Sequence, residues 1–247
     1  MKKVYHSRLE QHQAYDLGDP VRLAAPLLLT GFVIFVVMTL FHPGGPANDH
    51  RVIFKEYAAS TNWSVIHLGQ FVGVGLLVAG LLVLYRALDL RAGAAAWTAR
   101  LGAVCAATAL GLYAVLQAVD GVALKQAVDT WVSAPAAEAE ARFASAEVIR
   151  WVEWGARSYE TLMLGSALIL LGIAVALSGK LPKALGYLMA LSGVTYLVQA
   201  WVLGNAGFTE TNTWAILAGY VLVLAWMLWL VVIAWRAKQL TEKTAAL

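Results

Sequence analysis

Arg150, Glu153, Arg157 and Glu160 follow one another at intervals of 3, 4 and 3 residues. At 100° per residue, a helix gathers them within an arc of about 80°. Their signs alternate, so each neighbouring pair can close an ion pair at i,i+3 or i,i+4. Such a stripe must face something polar: a partner helix, a water-filled vestibule or a ligand. Other stretches offer matching faces at helical spacing. They are Tyr113, Gln117 and Asp120; Trp63, His67 and Gln70; and Ser192, Tyr196 and Gln199. Three chemistries remain open for this set. It could be a structural cap tied by surface ion pairs. It could bind a small molecule or lipid. It could also be a catalytic pair, with Glu153 or Glu160 as acid or base and His67 as partner.

Metal and cofactor chemistry has less support in the spacing. His42, His50 and His67 fall in one part of the chain, and neutral imidazole is a common metal ligand. Yet HPGGPANDH, from His42 to His50, matches no familiar ligand spacing, and there is no HExxH or Cys/His pattern. The single cysteine, Cys105, lies in an apolar run and has no intrachain partner for a disulfide. No phosphate loop, dinucleotide glycine fingerprint or nucleophile elbow stands in a suitable context. The expectation is no cofactor and no metal, with His67 as a hydrogen-bonding residue between helices.

The elements that must carry these groups follow from composition. Of 247 residues, 60% are apolar and 13% charged, against about 25% charged in an ordinary soluble domain. Six bilayer spans of about 20 residues need roughly 120 residues, and the apolar fraction supplies them. A disordered chain, a nucleic-acid-binding arm and most soluble enzymes are excluded. The apolar runs are Val21 to Phe41, Trp63 to Leu84, Leu101 to Val119, Thr161 to Leu177, Leu185 to Leu203 and Trp214 to Trp235. The first is longer than the apolar region of a signal peptide and is read as a retained span, with cleavage near Ala47 as the alternative. Helices satisfy their own backbone groups, as lipid demands, and no alternating β-barrel segments appear. The expected fold is all-α, a polytopic membrane protein with six transmembrane helices at 21–236. Tails at 1–20 and 237–247 flank it.

Twelve of the 18 basic residues fall on the side shared by the two termini; the others are Arg51, Lys55, Lys125, Arg142, Arg150 and Arg157. The positive-inside rule then puts both termini in the cytoplasm. The net charge of +3 reflects these loops, not a nucleic-acid partner. The outer connections would be His42 to Asn62 and Asp120 to Glu160. The second contains a stretch, Ala136 to Glu160, that reads as helix and would extend the fourth span outward. All the polar groups above then lie near the outer ends of the spans. A single pocket between the second and fifth spans would collect His67, Gln70, Tyr113, Gln117, Asp120, Arg150, Glu153, Arg157, Glu160, Tyr196 and Gln199. The third and fifth spans also echo one another. Arg100-Leu-Gly leads to Tyr113 and Gln117, and Lys183-Ala-Leu-Gly leads to Tyr196 and Gln199. Both runs pass from inside to outside, as in a parallel repeat.

The stretch SGKLPKALGYLMALSGVTY, from Ser178 to Tyr196, resembles the junction of the fourth and fifth spans in an uncharacterised family of bacterial six-span membrane proteins. FHPGGPANDH and VEWGARSYE are similar to segments of a narrower bacterial branch. The resemblance implies six helices in a bacterial inner membrane and supplies no catalytic residues. The expected function is binding of a small amphipathic or lipid-like molecule in an outward-facing pocket. A membrane-embedded enzyme and a transporter are the alternatives. Membrane lipid is the expected partner, and a homo-oligomer stays open.

Overall fold

The first apolar run becomes helix α1, Gly18–Leu40. The computed structural model describes residues 18–245, and no strand occurs among them. Residues 1–17 of the expected N-terminal tail lie outside the described residues. Helix α2 is His50–Ala59, α3 Trp63–Leu88 and α4 Gly93–Ala118. A π-helical turn, Val119–Leu124, joins α4 to α5, Lys125–Val132. Then come α6, Ala139–Ser178, α7, Lys183–Ala206, and α8, Glu210–Ala245. Local chemistry sets several of these ends. The Asp49 side chain accepts from the Val52 amide at 3.2 Å and caps α2. Gly179, at φ +66°, ends α6 in the left-handed conformation that glycine adopts without penalty.

Among the described residues, six helical stretches are long and apolar enough to cross a bilayer: Asp19–Leu40, Trp63–Leu88, Gly93–Val132, Ala139–Ser178, Lys183–Ala206 and Glu210–Arg236. The protein is thus an all-α polytopic membrane protein. The third and fourth stretches have 40 residues each. At 1.5 Å per residue each is about 60 Å long, roughly twice the hydrocarbon thickness. They are joined through residues 133–138, so both project at the same end. There they build a cap with α2. Its apolar core contains Ile53, Phe54, Tyr57, Trp63, Leu124, Val128, Trp131 and Phe143.

Two features of this cap differ from the expectation. The segment His42 to Asn62, read as a loop, contains α2, because Ile53, Phe54 and Tyr57 form a face that buries against the cap. The third span does not stop at Val119. Asp120 and Gly121 look like breakers, but the chain stays helical through them by widening to π geometry. Val128 and Trp131 then hold α5 in the cap core. The long connection between the third and fourth spans is therefore mostly helix.

Below the cap, α6 packs along α7 on one side and α4 on another, while α1 packs along α3 and α8. Glycines set the closest approach. A Cβ added at Gly172 would lie 2.6 Å from the Gly186 carbonyl oxygen, and one at Gly193 would lie 2.6 Å from that of Gly165. Backbone-to-backbone packing through small residues is a usual mode of helix association in lipid. The two echoing stretches flank α6: an added Cβ at Gly102 would meet Leu171, and one at Gly186 would meet Gly172.

Candidate functional site

The charge stripe on α6 is buried at Arg150, Glu153 and Glu160 and half-buried at Arg157, so it is not a solvated cap. Arg150 is 2% exposed, Glu153 0% and Glu160 5%. Glu153 divides its carboxylate between two guanidiniums. Arg150 Nη1 donates to Oε2 at 2.8 Å, and Arg157 Nε donates to Oε1 at 2.7 Å. Arg157 then reaches across to the π turn, where Nη2 donates to Asp120 Oδ2 at 3.1 Å. Two carboxylates and two guanidiniums thus balance in one chain of charge-assisted hydrogen bonds. Aromatic rings surround its outer end: the Arg150 guanidinium lies 5.1 Å from the Phe208 ring centre and 5.6 Å from that of Tyr57. Such rings favour a cation and exclude water. Burial pushes the Tyr57 hydroxyl up to about 12, so it stays protonated.

The π turn is what brings Asp120 here. It packs between α3 and α6, and π segments inside α-helices often mark functional sites. Trp63 Nε1 donates to the Gly121 carbonyl at 3.0 Å, pinning the start of α3 to the turn. Gly121 permits the approach: a Cβ there would stand 3.0 Å from the His67 Cβ and 3.1 Å from its Cγ. His67, 4% exposed, presents Nε2 at 3.4 Å from Asp120 Oδ2. His42, just past the end of α1, meets it, with ring centres 5.2 Å apart. Burial drives the His42 imidazole down to about 4, with Asp120 opposing that shift, so the ring is neutral at pH 7.

A second feature lies beside Arg157. A cavity of about 90 Å³ is bordered by Arg157, Glu160, Thr161, Tyr113, Tyr196, Gln199 and Asn212, with Phe32, Phe35 and Tyr220 closing it from α1 and α8. Thr161 Oγ1 donates to Glu160 Oε2 at 3.1 Å. Among the described residues no cationic group lies within ion-pair distance of Glu160.

The residues expected to share one pocket therefore separate. His67, Asp120, Arg150, Glu153 and Arg157 form the buried network. Tyr113, Arg157, Glu160, Tyr196 and Gln199 face the cavity, and only Arg157 serves both. Gln70 instead donates to Thr39 Oγ1 at 3.1 Å, joining α3 to α1. Gln117 is half-buried on α4, outside the lining of the cavity. Sequence reasoning missed the contributions of α1 and α8, whose lining is apolar and aromatic except for Asn212 near the start of α8. It also left His42 out, though its place where the first span ends was the available clue.

Six apolar helices, a helical cap and a buried charge network define a multi-pass membrane protein with a polar interior at one end. The chain belongs to the family described as a domain of unknown function (DUF4386), which matches residues 23–234. No curated protein and no solved structure matches the chain.

Proposed function

We propose that this protein binds the polar head of a small amphipathic molecule in the cavity beside Arg157 and Glu160. The observation that carries the reading is Glu160, a buried carboxyl without an ion-pair partner among the described residues, facing open space next to a guanidinium. An intramembrane ionisable group is costly and is a functional candidate for that reason. The geometry suits a ligand with an anionic group for Arg157 and a cationic or hydroxyl group for Glu160. Drug-sized pockets span about 300–1,000 Å³. A cavity of about 90 Å³ therefore suits a head group, with the apolar part of the ligand lying between helices. Glu153 is a poor choice for an acid or base, because both its oxygens are committed to arginines.

Native mass spectrometry of the detergent-purified chain tests this. Wild type should carry a single bound small molecule, lost in Arg157→Gln and in Ile216→Phe, which fills the cavity from α8. Leu40→Ala, on an exposed position, should keep it. No adduct in wild type, or the same adduct in every variant, would reduce the cavity to a structural feature.

The reading places the cap outside and both termini in the cytoplasm, supported by the Lys and Arg asymmetry. Reporter fusions at Leu247 and between Ser133 and Glu138 should report opposite sides. A common side would refute the orientation.

A further inference from the structure

We propose that His42, His67 and Asp120 form a binding site for one divalent transition-metal ion of the zinc class. Three observations converge. First, one ligand atom from each of the three residues lies within 4.8 Å of the others. His67 Nε2 and Asp120 Oδ2 are 3.4 Å apart. Two ligands about 2.0–2.2 Å from one ion at a tetrahedral angle stand about 3.3–3.5 Å apart. That pair is already at ligand spacing.

Second, both histidines have their tautomer set. His67 Nδ1 lies 2.8 Å from the Trp63 carbonyl oxygen, and His42 Nδ1 lies 3.0 Å from that of Pro43. A carbonyl only accepts, so each Nδ1 carries the hydrogen, and in the neutral ring each Nε2 presents a lone pair. This is the usual arrangement of metal-binding histidines, whose second nitrogen is anchored to a carbonyl or carboxylate.

Third, with neutral imidazoles the atoms facing one another are all acceptors. Among the described residues, His42 Nε2 and Asp120 Oδ1 are buried without a hydrogen-bond partner, and His67 Nε2 has only the Asp120 carboxylate before it. Lone pairs gathered in a buried space repel and remain desolvated unless a cation joins them. Arg157 donates to Asp120 Oδ2, the same oxygen that stands at ligand spacing from His67, and so orients the carboxylate as an outer-shell partner would.

Two imidazoles and one carboxylate match the donor preference of zinc and of ferrous, cobalt and nickel ions, and leave at least one position open. Asp120, Glu153, Arg150 and Arg157 already sum to zero charge. The ion therefore calls for an anion at the open position, such as hydroxide or a carboxylate. The spacing of His42 and His67 along the chain gives no hint of this, because three different elements supply the ligands: the end of α1, α3 and the π turn.

This inference rests on different atoms from the cavity reading and shares only Arg157 with it. The test is titration of chelator-treated, full-length protein in detergent with Co²⁺, followed by Zn²⁺ competition and elemental analysis. One Co²⁺ per chain should bind and give the visible absorption of a low-symmetry site, and Zn²⁺ should abolish it and raise the Tm. His42→Ala removes a ligand at a partly exposed helix end, so it should fold. It should lose at least 10-fold in affinity together with the Zn²⁺-dependent rise in Tm. Asp120→Asn and His67→Ala should do the same where they fold. Ile216→Phe, which fills the cavity, should keep one ion per chain, so failure of the cavity reading is scored separately. Absence of stoichiometric metal in wild type, or full retention in the His42→Ala and His67→Ala double variant, would overturn the proposal. The three side chains would then be joined by a proton.

Discussion

The two halves of α6 solve the same problem in opposite ways. From Arg150 to Glu160 the helix buries charged side chains: Glu153 links two arginines of the same helix, and Arg157 reaches across to Asp120. From Gly165 to Gly172 it meets α7 through bare backbone, glycine against glycine. The first half is held by pairs that fail when one member is lost. The second is held by shape and tolerates only what fits. A structural helix needs no more than the second device. On the proposed binding role, the four charges of balancing sign, the histidine pair and the cavity serve the polar part of a ligand.

The largest effect should come from breaking the first half. Glu153→Gln leaves Arg150, 2% exposed, without its carboxylate, and takes one of two from Arg157. Removing one member of a buried pair typically costs about 3–5 kcal/mol. Thermal unfolding in detergent should show a loss of that order, partly restored in the double variant with Arg150→Gln. Glu140→Gln, on the same helix as Glu153 but breaking an exposed pair with Arg51 of α2, should leave the melting curve near wild type. If Glu153→Gln also melts near wild type, the contrast between the halves is gone and the site loses its physical basis.

A smaller loss is expected in the second half. Gly172→Ala places a methyl 2.6 Å from the Gly186 carbonyl and 2.7 Å from the Ala190 amide. Backbone cannot swing aside as a side chain can, so α6 and α7 must separate. Overpacking of this kind costs about 1–3 kcal/mol, read again as a lowered Tm. Gly186→Ala should behave alike, and the double variant should be sub-additive, since one separation serves both.

These two halves were not equally legible in the sequence. Charges at intervals of 3, 4 and 3 declare a face by arithmetic alone, and the pairing of Arg157 with Asp120 follows from which spans are neighbours. Six spans were legible for the same reason, since lipid requires long apolar runs. Whether Glu153 was buried could not be read, because burial depended on the cap, and the cap depended on α2 and α5. Asp120-Gly121 reads locally as a break. Only the packing of Val128 and Trp131 against Phe54 and Phe143 shows why the helix continues. His42 was discounted on chain spacing, whereas its relevant neighbour, His67, is set by where two helices end and begin.

The smallest effect sharpens the comparison by removing composition from it. Gly75 and Gly172 are both helical glycines in apolar spans, so a rule based on residue type treats them alike. A Cβ added at Gly75, however, meets nothing within 4 Å. Alanine there should not force helices apart. It lowers the conformational freedom of the unfolded chain and suits a helix better than glycine, by up to about 1 kcal/mol in water. Gly75→Ala should therefore leave the Tm unchanged or raise it slightly, while Gly172→Ala lowers it under the same conditions. Equal losses in the two variants would mean that glycine serves the spans through flexibility. A loss confined to Gly172 ties its role to the contact with α7.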